Sequence, residues 1–318
     1  ENLARFSSAS LEDAPLHIQA DIPQWAGGHL GSVFGDSFAA EGRALSQRPP
    51  VDLRANRLLS SREKVLGELP KNIGAVACAY SPDGIRIPAG SGDYRQPNVQ
   101  AEPAFQKGWF EIQDEGSQLV ALFAGVKPGE AVLDYCAGGG GKTLEMASLM
   151  GNNGQIHATD SDKTRLAPIF ERLKRAETRN VQVHSAKSDL TALEGAMDLV
   201  LVDAPCTGAG TWRRRPDAKW RLSQSQLDQR VGEQSAILEK AKAFVKPGGR
   251  IAYITCSVFE AENAGQVRRF LGANVDFKAV EPKSLISAAL PALPVEAVLL
   301  SLFEAFVDGV LPLARRFW

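Results

Sequence analysis

A short apolar run opens directly onto four consecutive glycines in the stretch Val132-Leu133-Asp134-Tyr135-Cys136-Ala137-Gly138-Gly139-Gly140-Gly141-Lys142. A helical pattern follows the glycines to about Met150. Glycines at such a point allow a tight turn and let backbone N–H groups approach a ligand closely. The stretch is therefore typical of a strand–loop–helix unit in a parallel sheet, with a ligand at the loop.

Strand and helix patterns continue to alternate after this unit. Further strand-like runs cover 155–160, 181–184, 198–203 and 250–256, and helical patterns cover about 162–176 and 224–245. This alternation predicts an α/β fold, with a mostly parallel, doubly wound sheet that carries helices on both faces. Ligands bind at the carboxyl ends of the strands in such sheets. Four side chains are expected at that edge, namely Asp134, Asp160, Asp203 and Cys256.

Two familiar phosphate-binding motifs do not fit the glycine loop. A P-loop needs glycine where Cys136 stands, and the dinucleotide fingerprint needs glycine where Thr143 stands. Asp160, 22 residues after Gly138, can instead accept hydrogen bonds from both ribose hydroxyls of a nucleoside. Asp189, which is expected to end the third strand, can accept from an adenine amino group. This combination favours S-adenosylmethionine, which carries ribose and adenine but no phosphate. The alternative is a glycine turn that only packs helix on strand, with solvated carboxylates.

Two cysteines follow strands of the predicted sheet, Cys206 in the segment 203–208 and Cys256 in the segment 255–257. A lone cysteine at a strand end is usually a small buried hydrophobic residue. Two cysteines on one edge, each beside hydrogen-bonding neighbours, favour reactive thiols instead. A thiolate is the nucleophile that conjugate addition to a pyrimidine ring requires, because C5 of the ring is otherwise unreactive.

A basic and aromatic loop lies between the two cysteines. The segment 212–221 holds five basic residues, one acidic residue and two tryptophans. Cations interleaved with rings are typical of single-stranded nucleic acid recognition. The alternative is a solvated loop whose tryptophan is anchored in the core. Five more arginines in the first part of the chain are individually expected as surface charges, and their density indicates a second RNA contact: Arg43, Arg48, Arg54, Arg57 and Arg62.

Composition limits the class of protein. The 318 residues include 36 Lys and Arg against 37 Asp and Glu, so the formal net charge is −1. This excludes a global field that attracts nucleic acid, and any polyanion must be held by a local basic patch. The four cysteines lie dozens of positions apart, which excludes a zinc ribbon or a disulfide framework and predicts reduced thiols in the cytoplasm. No apolar stretch reaches the roughly 18 residues of a membrane span.

The chain divides at a loop-rich region. Residues 81–103 are dense in Pro, Gly, Ser and Asp, which predicts a domain boundary. We expect a tail or linker over 1–20, an N-terminal domain over 21–104 that includes a strand at 51–57, and a second domain over 105–318. An apolar helical pattern covers 295–310 within its last part.

At these motifs the chain resembles the RsmB/Nop/Sun (Fmu) family of RNA cytosine-C5 methyltransferases, especially the bacterial RsmB-like 16S rRNA methyltransferases. The resemblance runs from about Gln47 to Leu271 and is strongest in five motifs, at 113–117, 134–143, 203–208, 214–220 and 255–257. It implies a Rossmann-like S-adenosylmethionine-dependent methyltransferase fold with a smaller N-terminal α+β RNA-binding domain. One departure stands out: Gly138 and Gly139 occupy positions where the family loop commonly has Ala and Pro, which predicts a more flexible loop.

The resemblance also implies a role for each residue that matches a family motif. The cysteine matching Cys256 attacks C6 of the target cytosine, the cysteine matching Cys206 helps release the product, and the residue matching Asp203 contacts the base near the methyl donor. The resemblance implies cofactor contacts at Cys136, Ala137, Gly138, Gly139, Gly140, Gly141, Lys142, Asp160, Asp189 and Asp203. The RNA contacts expected here are Arg213, Arg214, Arg215, Lys219, Trp220, Arg54 and Arg57.

The expected activity is methyl transfer from S-adenosylmethionine to a cytosine of structured RNA, with ribosomal RNA as partner and tRNA as an alternative. We expect a monomer without a metal or a membrane partner. A third reading is a non-catalytic RNA-binding assembly factor that retains the fold. Loss of a cysteine or of Asp160 would favour it, and all are present.

Overall fold

The computed structural model describes residues 10–90, 92, 95–280 and 282–290. The first elements are three helices: α1 (Leu16–Gln19), α2 (Gln24–Phe34) and α3 (Phe38–Ala44). Apolar side chains of α2 and α3, among them Leu30 and Phe38, form one core cluster with Trp212 and Phe259 from the far part of the chain. Helix α1 lies within the segment predicted as a tail, and the apolar pattern at 295–310 lies outside the described residues.

A small antiparallel sheet follows these helices. Its elements are β1 (Val51–Ala55), α4 (Arg62–Glu68), β2 (Val76–Ala77), β3 (Gly84–Ile87), α5 (Pro103–Gln106) and β4 (Phe110–Ile112). The strand order β2-β3-β1-β4, with each neighbouring pair antiparallel, is the β-α-β-β-α-β arrangement of a ferredoxin-like domain. The predicted strand at 51–57 is therefore confirmed as β1. The sheet takes its last strand from residues after 104.

The second sheet is fully parallel. Its strands are β5 (Ala131–Asp134), β6 (Gln155–Thr159), β7 (Val181–His184), β8 (Met197–Asp203) and β9 (Val245–Ile254), in the order β7-β6-β5-β8-β9. The helices of this part are α6 (Glu115–Phe123), α7 (Gly141–Leu149), α8 (Lys163–Leu166), α9 (Ile169–Arg175), α10 (Ala218–Arg221), α11 (Gln224–Ala241), α12 (Ala264–Ala273) and α13 (Pro282–Ala289). The predicted α/β fold with a parallel sheet is confirmed.

Alternate residues of the central strands pack on opposite faces of this sheet. Val132 and Leu199 share a cluster with Met146 of α7. Leu133 lies on the other face, in the cluster that includes Ala241 of α11. Because successive side chains of a strand point to opposite faces, helices on both sides convert a continuous apolar run into two cores. The doubly wound arrangement is thereby confirmed.

Two predicted helices and the predicted position of Asp189 differ from the structure. The helical pattern over 162–176 forms two helices, α8 and α9, because Pro168 between them cannot continue the hydrogen-bonded helix. Helix α11 ends at Ala241, and residues 242–244 form a 3-10 turn. Strand β7 ends at His184, so Asp189 lies five residues beyond it in an exposed loop rather than at the strand end.

Gly140 provides a test of the packing around the glycine loop, with Gly151 as a matched control. Both have left-handed φ angles, 81° and 60°, which cost alanine about 1–2 kcal/mol. Only at Gly140 would a Cβ meet a neighbour, 2.5 Å from Ile169 Cγ1, adding about 1–3 kcal/mol of overpacking. We therefore expect Gly140→Ala to lower the free energy of unfolding more than Gly151→Ala, as measured by urea denaturation. Equal losses would contradict the packing seen here.

Candidate active site

Backbone N–H groups of the glycine loop donate hydrogen bonds that shape the loop. Gly138 N–H donates to Asp160 Oδ2 at 2.9 Å, and Gly140 N–H donates to the carbonyl oxygen of Ala137. The other oxygen of Asp160 accepts the N–H of Asp162 at 2.8 Å. Asp160 is buried, so one carboxylate joins the loop after β5 to the loop after β6.

Asp134 lies buried at the end of β5. Its Oδ2 accepts the Thr143 hydroxyl at 2.6 Å, and its Oδ1 has no hydrogen-bond partner among the described residues. Burial raises the pKa of Asp134 to about 7, although the hydrogen bond from Thr143 opposes the rise. This oxygen is thus a buried acceptor, or a carboxyl donor when protonated, on a residue that lines a cavity. Sequence reasoning placed Asp134 at this edge but gave neither it nor Thr143 a role.

Lys142 and Asp203 form an ion pair across the sheet edge. Lys142 Nζ lies 2.7 Å from Asp203 Oδ2, and the lysine side chain is 12% exposed. Burial would lower the pKa of Lys142, but the charge of Asp203 and its hydrogen bond raise it above the ordinary value. The pair therefore connects the end of the glycine loop to the end of β8.

A cavity of about 210 Å³ opens between these groups. Its lining includes seven predicted cofactor contacts: Cys136, Ala137, Gly138, Gly139, Gly141, Lys142 and Asp203. The sequence analysis gave no role to the other lining residues, which are Ile112, Gln113, Ser117, Asp134, Arg165 and Arg172. Gly140 packs against Ile169 instead, and Asp189, hydrogen-bonded to Thr191, is fully exposed. No simple spacing rule links β4 or α9 to the glycine loop, which explains why those residues were missed.

The two cysteines face each other at the same edge. Both are free thiols, and Cys206 Sγ lies 3.2 Å from Cys256 Sγ. The hydrogen bond from Cys206 lowers the pKa of Cys256, and the charge of Lys142 also lowers it, although burial and the charge of Asp203 oppose the change. The same hydrogen bond, followed by burial, raises the pKa of Cys206 well above its ordinary value. The pair therefore favours Cys256 as the thiolate and Cys206 as the proton donor.

Glu262, which the sequence did not single out, holds the two cysteine loops together. It is fully buried and accepts the Thr207 N–H at 2.9 Å, the Thr207 hydroxyl at 2.5 Å and the Ser257 hydroxyl. The Gln234 amide donates to it at 2.9 Å and also to the carbonyl of Pro205. Because a buried carboxylate needs such donors, the arrangement fixes the residues directly after Cys206 and Cys256 relative to each other.

The predicted RNA contacts fall into two groups. Arg54 and Lys219 are buried in ion pairs, with Glu145 at 3.1 Å and with Asp21 respectively. Neither presents its charge at the surface, so the prediction of RNA contact is wrong for these two, and Arg54 is no surface charge. Their burial is tolerated because each has a carboxylate partner.

The remaining RNA candidates lie at the surface. Trp220 is 58% exposed, and Arg215 is exposed. The others are already engaged in the protein: Arg213 with backbone carbonyls of Gln47 and Arg48, Arg214 with Asp114, and Arg57 with Asp83 at 2.7 Å. Trp212 is buried in the core, as the alternative interpretation of the loop expected for one tryptophan.

The parallel sheet with its glycine loop and the small antiparallel sheet define a Rossmann-like α/β domain that is preceded by a ferredoxin-like domain. A family model of the 16S rRNA methyltransferase RsmB/F matches residues 121–290, and a model of the ferredoxin-like domain of RsmF/B-like methyltransferases matches residues 22–91. The chain belongs to the RsmB/F family of 16S rRNA methyltransferases.

Individual relatives agree with this assignment. A probable ribosomal RNA small subunit methyltransferase B of Synechocystis is 34% identical over 276 residues, which cover 84% of this chain and 60% of the relative. The crystal structure of PH0851 superposes with a TM-score of 0.74 at 32% identity, covering 86% of this chain and 62% of that one. A methyltransferase homologue from Pyrococcus horikoshii has a TM-score of 0.68 at 27% identity, covering 81% of each chain. The chain thus spans about 60% of the length of the curated relative.

Two further properties concern the described part of the chain. None of its helices combines the length and the apolar character needed to cross a bilayer. Within the same residues, no group of three or more His, Cys, Asp or Glu side chains is arranged to hold a metal ion.

The cysteine pair predicts selective alkylation. Burial raises the pKa of Cys136 to about 12 and that of Cys78 still further, whereas the pKa of Cys256 is lowered. Iodoacetamide near pH 7.5 is therefore expected to modify Cys256 first. In Cys206→Ala the thiolate loses its donor, so the pH dependence of Cys256 alkylation should move to higher pH. Mass spectrometry of tryptic peptides measures both rates, and a shift to lower pH would refute the assignment.

Proposed function

We propose that this protein is an RNA cytosine-C5 methyltransferase that acts on 16S rRNA in the cytoplasm. The observation that carries the proposal is the cysteine pair, with Sγ atoms 3.2 Å apart, at the sheet edge that also holds the Lys142–Asp203 pair. Membership of the RsmB/F family supports the choice of 16S rRNA. We further propose that the protein acts as a monomer.

The cavity beside the glycine loop fits S-adenosylmethionine. Gly138, Gly139 and Gly141 line it, and residues without side chains let backbone groups approach a ligand closely. Asp134, whose buried Oδ1 has no hydrogen-bond partner among the described residues, lines it as well. We assign the cofactor to residues 136–142 with Asp160 and Asp203, whereas Asp189, in the exposed loop beyond β7, is not among the residues that line the cavity. When bound there, S-adenosylmethionine supplies the methyl group. Asp160 is already fixed by two backbone donors, which aligns its remaining lone pairs for ribose hydroxyls.

Cys256 is the proposed nucleophile. Its thiolate bonds to C6 of the cytosine, which makes C5 nucleophilic enough to accept a methyl group. The base must leave its stack to reach a sulfur at the sheet edge. Asp203 contacts the base in this arrangement, and Lys142 holds its carboxylate in place at 2.7 Å.

Cys206 is the proposed residue for product release. Its hydrogen bond to Cys256 is the largest cause of its raised pKa. Once the Cys256 sulfur is bonded to carbon, it no longer carries the charge that keeps the Cys206 proton in place. Cys206 then becomes more acidic, loses its proton to solvent and, as a thiolate, takes the C5 proton. Loss of that proton allows the C6–S bond to break and returns the Cys256 thiolate.

The two cysteine variants test this division of roles. Labelled S-adenosylmethionine and unmodified RNA, fractionated by size and digested to nucleosides, should give label in 5-methylcytidine of 16S rRNA with the wild type. We expect Cys256→Ala to transfer no methyl group, and Cys206→Ala to retain RNA covalently on denaturing gels. Full activity of Cys256→Ala would overturn the nucleophile, and label confined to tRNA would overturn the substrate.

Arg215 tests the RNA-contacting role of the basic loop, with the buried Lys219 as its control. Neutralising one phosphate contact reduces the slope of log K against log salt by about 1. We expect Arg215→Ala to weaken RNA binding and reduce this slope, as measured by fluorescence anisotropy at several salt concentrations. Lys219→Ala should lower the melting temperature and leave the slope unchanged. An unchanged slope in Arg215→Ala together with a reduced slope in Lys219→Ala would show that the loop binds RNA through a different face.

A further inference from the structure

Two arginines from outside the glycine loop hold its backbone carbonyls. Arg172 Nη1 of α9 donates to the carbonyl oxygen of Gly139 at 2.6 Å. Arg54 Nη1 of β1 donates to that of Gly141 at 3.0 Å. Arg54 belongs to the small antiparallel sheet, and Arg172 is tied to the same sheet through Glu111 on β4. The N-terminal sheet therefore reaches the loop along two routes.

Glu111 fixes the orientation of the Arg172 guanidinium. Its Oε2 accepts from Nε at 3.1 Å and from Nη2 at 3.0 Å, while its Oε1 accepts from Arg175. The Glu111 side chain is only 4% exposed. Two charge-assisted hydrogen bonds that converge on Oε2 restrict the orientation of the guanidinium, and in this orientation Nη1 donates to the Gly139 carbonyl. Arg175 uses the same carboxylate, but within the described residues it makes no hydrogen bond to the loop.

The glycine loop has particular need of such support. Gly138 and Gly140 have left-handed φ angles, and glycines lose more conformational freedom on ordering than any other residue. The sequence has Gly138-Gly139 where the resembling family commonly has Ala-Pro, so the chain itself restricts the loop less. Arg172 also lines the cofactor cavity, and a Cβ added at Gly139 would lie 3.3 Å from its Nη1.

We propose that Glu111 and Arg172 form a positioning pair through which the ferredoxin-like domain preorganises the glycine loop for S-adenosylmethionine. The proposal rests on the proposed function in taking this cofactor as the ligand. Ile112 and Gln113, next to Glu111 in sequence, line the same cavity, so one segment both orients Arg172 and forms part of the wall. The cofactor site is thus built by both parts of the chain, and an ordered loop binds its ligand at lower entropic cost.

Calorimetric titration of the full chain with S-adenosylmethionine tests the pair. We expect Arg172→Ala and Glu111→Gln each to raise Kd roughly tenfold, the equivalent of one charge-assisted hydrogen bond. Arg175→Ala is the matched control: it loses an ion pair with the same Glu111 and a contact over the Phe105 ring, so its melting temperature should fall while Kd stays within about twofold of wild type.

A double variant separates loop ordering from a general structural effect. In Arg172→Ala, the space beside Gly139 becomes free, and Gly139 has no left-handed φ. Gly139→Ala in that background restricts the loop by a different route and is expected to recover part of the lost affinity. A role in folding alone would leave Kd unchanged by this second substitution.

The outcomes distinguish the two proposals. Absence of binding to the wild type would overturn the proposed function. Wild-type binding with an unchanged Kd in Arg172→Ala would overturn the positioning pair alone. Weak binding in Arg172→Ala with normal binding in Glu111→Gln would mean that Arg172 contacts the cofactor without Glu111, which also contradicts the pair. Equal losses of affinity in Arg172→Ala and Arg175→Ala would mean that both substitutions act only through the stability of the domain, and would contradict the positioning pair.

Discussion

Parallel pairing of β8 with both β5 and β9 is the constraint on which the site depends. The pairing places the carboxyl ends of three strands, far apart in the chain, at one edge of the sheet. Asp203 ends β8 next to the loop after β5, and Cys256 follows β9 by two residues. A shift of register by one residue would exchange the two faces of a strand and would separate Asp203 from Lys142 and Cys206 from Cys256.

Buried polar groups then fix what the backbone brings together. Glu262 accepts hydrogen bonds from the segments that follow each cysteine, and Asp160 joins two loops on the cofactor side. Buried carboxylates of this kind are stable only with a full set of donors, and removal of one partner is costly. The thiol pair itself is set at 3.2 Å by these surroundings. The chemistry of the site is therefore a property of the network rather than of either cysteine alone.

The two domains share this network. Arg54 of the small sheet is buried between Gln113, Glu145 and the Gly141 carbonyl, and Asn56 donates to carbonyls of Gly108 and Ala176 at 3.0 Å each. The N-terminal helices share a core with Trp212 and Phe259, which flank the two cysteine loops. The part of the chain that is expected to meet RNA therefore also supports the loops that hold the proposed reacting groups.

The sequence by itself determined the parallel sheet, the glycine loop after its central strand, and the positions of Cys206, Cys256, Asp160 and Asp203. These depend on local patterns: apolar runs, turn residues and the rule that strand ends share an edge. The break at Pro168 also has a local cause, because proline cannot continue a hydrogen-bonded helix. The position of Asp189 beyond β7 shows that strand ends are less certain than strands.

Only the tertiary structure decided which charges are buried and which are exposed. Arg54 and Lys219 look like surface cations in the sequence, yet each meets a carboxylate that lies far away in the chain. Glu262 and the pair Glu111–Arg172 have no local signature for the same reason. Their roles arise from partners brought close by strand order and helix packing, and the cost of burying a charge depends on those partners rather than on the residue type.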